Sequence, residues 1–182
     1  FRLLGGIIEI AFRPFTEYAA GIATADLPDE ALHAAKRCVI DWFASVLPGG
    51  LQPLATLLIL AYADSIGSRG GSGGAVLYPS GQRTDPRTAA LINGAAVHTI
   101  EFDEIYRDAL YHLGAPVISA ALALAQARGR DGNGFMRGVI AGYEISSRMG
   151  VVVNPAHYKF WHTTGTIGTF GAAAASSAGF GR

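Results

Sequence analysis

The sequence has little cysteine, little charge and no long apolar run. Its one cysteine, Cys38, excludes an intrachain disulfide framework and a cysteine-based zinc site. Charged residues make up 15% of the chain, and 14 basic residues balance 14 acidic ones, which excludes a broad basic surface for nucleic acid. No apolar run reaches the roughly 18 residues that a membrane span needs. We therefore expect a soluble, cytoplasmic protein with no nucleic-acid or membrane partner, in which Cys38 is a small buried residue on a helix.

Small and apolar residues are abundant instead. The chain has 24 glycines and 31 alanines, and half of its residues are hydrophobic. Small side chains allow helices to approach one another closely. The shortage of polar residues leaves too little polar surface to cover the molecule, so we expect part of it to be covered by a partner or by further chain. As a partner we expect a second copy of the chain, in a homodimer.

Apolar residues recur at helical spacing along most of the chain. The segment 27–30 (LPDE) has the proline and acidic residues of a helix start, and 48–50 (PGG) ends that helix. Similar patterns predict a short helix from Phe15 or Thr16 and helices over 51–66, 86–105, 115–128, 135–152 and 165–178. Residues 68–74 are typical of a loop and 75–78 of a short strand. The sequence therefore predicts an all-α domain over 15–182, with 1–14 unassigned.

One group of ionisable residues lies near the end of the predicted 86–105 helix. On that helix His98, Glu101 and Glu104 are three residues apart and share a face, whereas Asp103 is turned towards the following segment. Carboxylates beside a histidine favour acid–base chemistry, because the neighbours decide which group holds the proton. The alternative is a solvated helix end whose acids pair with Arg107.

Two more histidines lie just before predicted helices. His112 precedes the 115–128 helix, and His162 precedes the 165–178 helix, with His157 and Lys159 close by in the chain. A helix start carries partial positive charge and free backbone N–H groups, which favour an anionic ligand such as a carboxylate. The alternative is that these histidines cap helices or lie in the core.

Two other kinds of site are disfavoured. His98, Glu101, Glu104, His157 and His162 include possible metal ligands, but the paired Glu-x-x-His motif of helical metal sites does not occur. A serine hydrolase is disfavoured because no G-x-S-x-G elbow appears between a predicted strand and a predicted helix. Acid–base chemistry without a metal therefore remains the leading interpretation.

Five stretches occur in a characteristic order along the chain. They are 90–98 (ALINGAAVH), 101–104 (EFDE), 112–117 (HLGAPV), 142–144 (GYE) with Arg148, and 161–166 (WHTTGT) leading to 171–175 (GAAAA). Together they resemble the MmgE/PrpD family, which includes 2-methylcitrate dehydratase, cis-aconitate decarboxylase and iminodisuccinate epimerase. The similarity runs from about Phe15 to the end of the chain.

The resemblance implies a helical domain that carries part of a polycarboxylate site, with no cofactor and no metal. His112 falls on the family's His-Pro-Gly histidine, and His162 on the histidine before the glycine–alanine helix. Glu101, Asp103 and Glu104 fall on an acidic Asp-Phe-Asp-Asp-like motif. We expect His112 and His162 to move protons and Glu101 and Asp103 to orient them. The expected substrate contacts are Glu104, Arg148, Lys159, Thr164 and Gly165.

The sequence also departs from the family pattern. Ile105 stands where many members have threonine or histidine, and Leu113 replaces the usual proline. Family enzymes are longer and have a second, α+β domain, which we expect this chain to lack. Two functions therefore follow as hypotheses. The first is a lyase or isomerase of the 2-methylcitrate dehydratase kind, acting on a small di- or tricarboxylate by dehydration, decarboxylation or epimerisation. The second is a non-catalytic helical dimerisation module.

Overall fold

The computed structural model describes residues 2–62 and 74–178, with side chains from residue 12 onwards. Within these residues the chain forms seven α-helices and one two-stranded antiparallel sheet. The elements are α1 (Arg2–Gly21), α2 (Asp29–Gly49), α3 (Pro53–Ala61), β1 (Ala75–Val76), β2 (Arg83–Thr84), α4 (Pro86–His98), α5 (Gly114–Ala127), α6 (Gly132–Val153) and α7 (Thr163–Ala178). Short 3-10 turns cover Arg107–Ala109 and His157–Lys159. The expected all-α architecture is confirmed.

Helices α5, α6 and α7 pack against one another. Small residues let them come close, since a Cβ added to Gly142 on α6 would lie 2.8 Å from the carbonyl oxygen of Gly171 on α7. A Cβ on Gly171 would lie 2.8 Å from Val117 of α5. The glycines and alanines therefore form the contact surfaces of this three-helix core, and α7 is fixed closely enough to hold the residues at its start.

A buried aromatic group fastens α2 to this core. The Trp42 side chain is fully buried, and its Nε1 donates a hydrogen bond of 3.0 Å to Ser119 Oγ on α5. Its ring contacts Phe43 and Tyr78 edge-on, at centroid distances of 5.0 and 5.7 Å. Because a buried indole N–H needs a partner, this bond fixes the position of α2 relative to α5.

The hairpin of β1 and β2 is tied to the start and middle of α4. Asn93 on α4 is buried; its amide donates to the Val76 carbonyl at 2.9 Å and its Oδ1 accepts from the Tyr78 N–H at 3.1 Å. Asp85 caps α4 by accepting from the backbone N–H groups of Arg87 and Thr88. The C-terminal end of α4, where His98 lies, is therefore set by a well-anchored helix.

The predicted end of this helix is wrong. Helix α4 stops at His98 rather than near Ile105, and Glu101 has a φ of 52°, which a right-handed helix cannot accommodate. The following residues are held by tertiary partners instead: Asp103 is buried against histidines, and the Glu104 N–H donates to Asp41 on α2 at 3.0 Å. These contacts outweigh the local helical pattern, so His98, Glu101 and Glu104 do not share a helical face.

Smaller differences affect the termini of other elements. Helix α1 begins at Arg2, so it spans the boundary between 1–14 and the domain predicted to start at residue 15. The predicted 51–66 helix is observed as Pro53–Ala61, and its last residues lie outside the described part of the chain, as do residues 68–73 of the predicted loop. The predicted 75–78 strand is shorter, and helix α7 starts two residues early, at Thr163.

In the described ranges, 2–62 and 74–178, no single helix is both long enough and apolar enough to cross a membrane. Helices α2 and α3 meet that criterion only when taken together, and they are bent by 80° relative to each other.

Candidate active site

A buried carboxylate lies between two histidines at the C-terminal end of α4. Asp103 is 5% exposed, and its carboxylate oxygens lie 3.3 Å from Nδ1 of His98 and 3.4 Å from Nδ1 of His112. Nδ1 of His112 also lies 3.2 Å from the backbone carbonyl oxygen of Asp103. We call Asp103, His98 and His112 the histidine–aspartate trio.

His162 adds a third imidazole beside this trio. The His98 ring centroid lies 4.8 Å from that of His112 and 5.6 Å from that of His162. The two distances together place the His112 and His162 ring centroids no more than 10.4 Å apart. The side chains of three separate chain segments therefore converge at one place.

Each histidine is positioned by a secondary-structure boundary. His98 is the last residue of α4, His112 lies just before α5, and His162 lies just before α7. The His112 N–H donates to Thr164 Oγ1 on α7 at 3.2 Å, which ties the two segments together. Thr164 is buried, and its hydroxyl helps to hold the His112 segment in place.

A cavity of about 430 Å³ adjoins the trio between α4, α5 and α7. His98, Thr164 and Gly165 line it, and a Cβ on Gly165 would meet nothing within 4 Å. The volume lies in the range of about 300–1,000 Å³ that small-molecule sites occupy. The N–H of Gly165 bonds to the His162 carbonyl oxygen at 3.1 Å, so it is engaged within the helix start. Gly165 therefore presents its open Cα side to the cavity.

The pKa of His98 is raised. The cause is chiefly its hydrogen bond to the Asp103 carboxylate, with a smaller contribution from the charge of Glu101, while burial acts in the opposite direction. A raised pKa stabilises the protonated, positively charged imidazole. His98 is therefore suited to attract the carboxylate groups of a substrate.

His98 was not among the catalytic residues expected from the sequence. The helical pattern grouped it with Glu101 and Glu104, whereas the structure pairs it with Asp103. The signal was present in the chain, since a histidine at a helix end followed five residues later by Asp103 allows the turn to bring the two together.

Three other expected site residues are placed differently. Glu101 is exposed; its side chain acts on His98 through charge, and its backbone N–H donates to the His98 carbonyl oxygen at 3.2 Å. Arg148 is paired with Glu144 one turn earlier on α6, and in the described residues no contact joins it to the histidines. Lys159 is exposed in the 157–159 turn, which is held to α7 by a 2.7 Å contact between His157 Nε2 and Thr166 Oγ1. The structure therefore brings neither cation against the trio.

Glu104 belongs to a second polar group on the α2–α6 side of the domain. Its Oε1 accepts from the Gly114 N–H at 2.7 Å and from the Tyr143 hydroxyl at 2.5 Å. It lines a cavity of about 450 Å³ together with Cys38, Ile105 and Tyr143. Burial raises the pKa of Glu104 to about 8, and the hydrogen bond from Tyr143 lowers it only in part. Glu104 therefore keeps its proton near neutral pH, and the sequence pattern did not reveal Tyr143 as its partner.

Burial of Glu104 makes folding stability depend on pH. The side chain is neutral in both states below about pH 4.5, and between pH 4.5 and 8 the folded chain keeps a proton that the unfolded chain releases. The free energy of unfolding should therefore fall as pH rises through this window, by an amount on the order of a few kcal/mol. In Glu104→Gln the fall should be much smaller, as measured by denaturant unfolding at pH 5 and pH 8.

Glu17→Gln provides the matched control, because Glu17 is exposed and pairs only with Arg13 on the surface of α1. This variant should keep the pH dependence of the unmodified protein. A Glu104→Gln protein with the same pH dependence as the control would show that Glu104 does not hold the proton.

The chain is similar to known proteins along most of its length. The family model of the MmgE/PrpD N-terminal domain matches residues 13–181. The chain is 26% identical over 162 residues to cis-aconitate decarboxylase-like protein oryM of Aspergillus oryzae, covering 84% of this chain and 33% of that protein. It is 27% identical over 165 residues to the cis-aconitate decarboxylase of Homo sapiens, covering 86% of this chain and 33% of the relative. The mouse enzyme of the same name is 34% identical over 100 residues, which cover 52% of this chain and 20% of that protein.

The chain thus spans about a third of the length of the first two relatives. The family match covers nearly all of this chain and includes every segment that carries the trio and His162. On this evidence the chain belongs to the MmgE/PrpD family, and it corresponds to the N-terminal domain of that family.

Proposed function

We propose that this domain supplies the acid–base groups of an enzyme that acts on a small polycarboxylate. The observation that carries the proposal is the histidine–aspartate trio beside a cavity of about 430 Å³. In this proposal His112 and His162 are the catalytic residues and Asp103 is the positioning residue. The reaction uses side chains of the protein and needs no cofactor.

The contacts of His112 fix which of its nitrogens can act. A carbonyl oxygen only accepts hydrogen bonds, so the contact of Nδ1 with the Asp103 carbonyl places the proton on Nδ1. Nε2 is then left with a lone pair and can take a proton from a carbon next to a carboxylate. The buried Asp103 carboxylate stabilises the imidazolium that forms. His112 is thereby prepared to act as a base.

The remaining imidazoles suit the binding of an anion. His98, whose pKa is raised, brings positive charge to the cavity wall, and exposed His162 lies beside it. Positive charge close to the reacting carbon also stabilises the negative charge that develops there when a proton or carbon dioxide is lost. The groups that move the proton and the groups that bind the anion would therefore lie within one cluster.

Among the reactions that the family carries out, we infer decarboxylation of a tricarboxylate such as cis-aconitate as the first candidate, since the relatives named above bear that activity in their names. In such a step the bond to one carboxylate breaks, carbon dioxide leaves, and the electron pair left on carbon is protonated by an imidazolium. Dehydration of 2-methylcitrate and epimerisation use the same movement of a proton next to a carboxylate.

The test combines ligand binding with turnover. Addition of cis-aconitate to the purified protein in deuterated buffer should shift the ring proton resonances of His98, His112 and His162, while exposed His33 on α2 serves as an internal control. Product formation with incorporation of deuterium at carbon should follow in the same sample. If neither cis-aconitate nor 2-methylcitrate shifts these rings or reacts, the proposal is wrong.

A second candidate function rests on an exposed apolar surface. Leu51, Leu57 and Leu60, in and beside α3, and Ile40 on α2 are between 62% and 70% exposed. Surfaces of this kind mark protein–protein contacts. A dimerisation module would use this surface and would form a homodimer without any response of the histidines to polycarboxylates. Two experiments separate the two functions. They are light scattering of the unmodified protein and of Leu57→Lys, and the resonance experiment above.

A further inference from the structure

The spacing within the histidine–aspartate trio differs from that of ordinary hydrogen bonds. Its two shortest nitrogen–oxygen contacts between side chains measure 3.3 and 3.4 Å. Typical N–H···O bonds span about 2.7–3.2 Å. In a tetrahedral zinc site with bonds of about 2.0–2.2 Å, neighbouring ligand atoms lie roughly 3.3–3.6 Å apart. The contacts are therefore long for hydrogen bonds, and they also have the length of two edges of a zinc coordination shell.

The donor atoms have the chemistry that Zn²⁺ prefers. Two imidazole nitrogens and one carboxylate oxygen lie within 4.8 Å of one another. Three protein ligands of this kind are a recurring zinc set. Asp103 is fully buried at its side chain, whereas His98 is 25% exposed and lines the cavity.

This ligand set differs from the one considered on sequence grounds. Only His98 is common to both, because Glu101 is exposed and Glu104 faces the other side of the domain. Asp103 and His112 complete the set, and both come from the loop that replaces the predicted end of α4.

We propose that the histidine–aspartate trio binds Zn²⁺ and that the bound ion inhibits the enzyme. Coordination of the ion by Nδ1 of His112 displaces the proton from that nitrogen, and in the neutral ring the proton moves to Nε2. Nε2 then carries a hydrogen and no longer accepts the substrate's proton. The binding of the ion follows from geometry alone, whereas the inhibition rests on the function proposed above.

Zinc binding is measured by competition with a chromophoric chelator, using the purified protein freed of metal. We expect one ion per chain and an affinity at least about 10-fold lower in His98→Gln and in His112→Gln, since each variant removes one ligand. His33→Gln, which changes an exposed histidine on α2, should bind as the unmodified protein does. Circular dichroism of each variant confirms that it is folded before its affinity is compared.

The binding site is wrong if the unmodified protein binds no zinc, or if both histidine variants bind as tightly as His33→Gln. A surface site elsewhere on the protein would give the second result.

Inhibition is tested by turnover with chelator and with added Zn²⁺. We expect turnover to fall in proportion to the fraction of trios occupied and to recover fully when the chelator is added. Loss of turnover on chelation, with recovery on addition of zinc, would overturn inhibition and show that the ion is needed for the reaction. If the protein turns over no polycarboxylate under any condition, the proposed function fails, and so does the inhibition that rests on it. The chelator competition then still decides whether the trio binds the ion.

Discussion

Replacement of His112 by alanine is expected to lower the turnover of a polycarboxylate substrate by about 100-fold or more. The variant removes the Nε2 lone pair that accepts the proton and leaves Asp103 without one of its two imidazole partners. His98 and His162 remain in place, so binding of the carboxylate groups should weaken less than catalysis. The expected signature is a large fall in kcat with a smaller change in KM.

His33→Ala is the control for this experiment, because it removes an exposed imidazole from α2 and touches neither the trio nor the cavity. The denaturation midpoint of both variants shows whether the loss of His112 also disturbs the fold. His112 is half-buried, and its side chain contributes to the loop before α5. A folded His112→Ala protein that turns over substrate at a near-normal rate would remove His112 from the mechanism.

Local patterns predicted most of the helical core and only part of the candidate site. The helices expected over 115–128 and 135–152 are observed within three residues of those limits at each end, as α5 and α6. Their ends are marked by glycine, proline and an aspartate cap, which act within a few residues of the chain. The family resemblance likewise identified His112 and His162, which lie just before helices whose starts are locally encoded.

The end of α4 and the remaining part of the candidate site depend on contacts between segments that are distant in the chain. Periodicity continued α4 to residue 105, but burial of Asp103 between two histidines and the bond from Glu104 to Asp41 stop it at His98. The bond from Glu104 to Asp41 is not visible in a window of neighbouring residues, since the two are 63 residues apart. The separation of Glu104 from the trio could therefore be found only from the folded structure.

Replacement of Gly49 by alanine is expected to destabilise the domain by about 3 kcal/mol or more. Gly49 is the last residue of α2, and an added Cβ would lie 1.8 Å from the carbonyl oxygen of Ala96 on α4. The obstacle is helix backbone, which cannot rotate away as the end of a flexible side chain can. The two helices would have to separate, at the expense of the packing around Val46, Ala96 and Val97.

Gly132→Ala is the matched control, since Gly132 is also helical and an added Cβ there meets nothing within 4 Å. That variant should be unchanged or more stable by up to about 1 kcal/mol, because alanine is favoured over glycine in a helix. Denaturant unfolding of both variants gives the comparison, and equal stability of the two would contradict the close approach of α2 and α4.

Ala96 lies two residues before His98, so the trio should also be displaced in a Gly49→Ala protein that remains folded. Its response to polycarboxylates should then weaken even though no residue of the candidate site has been changed.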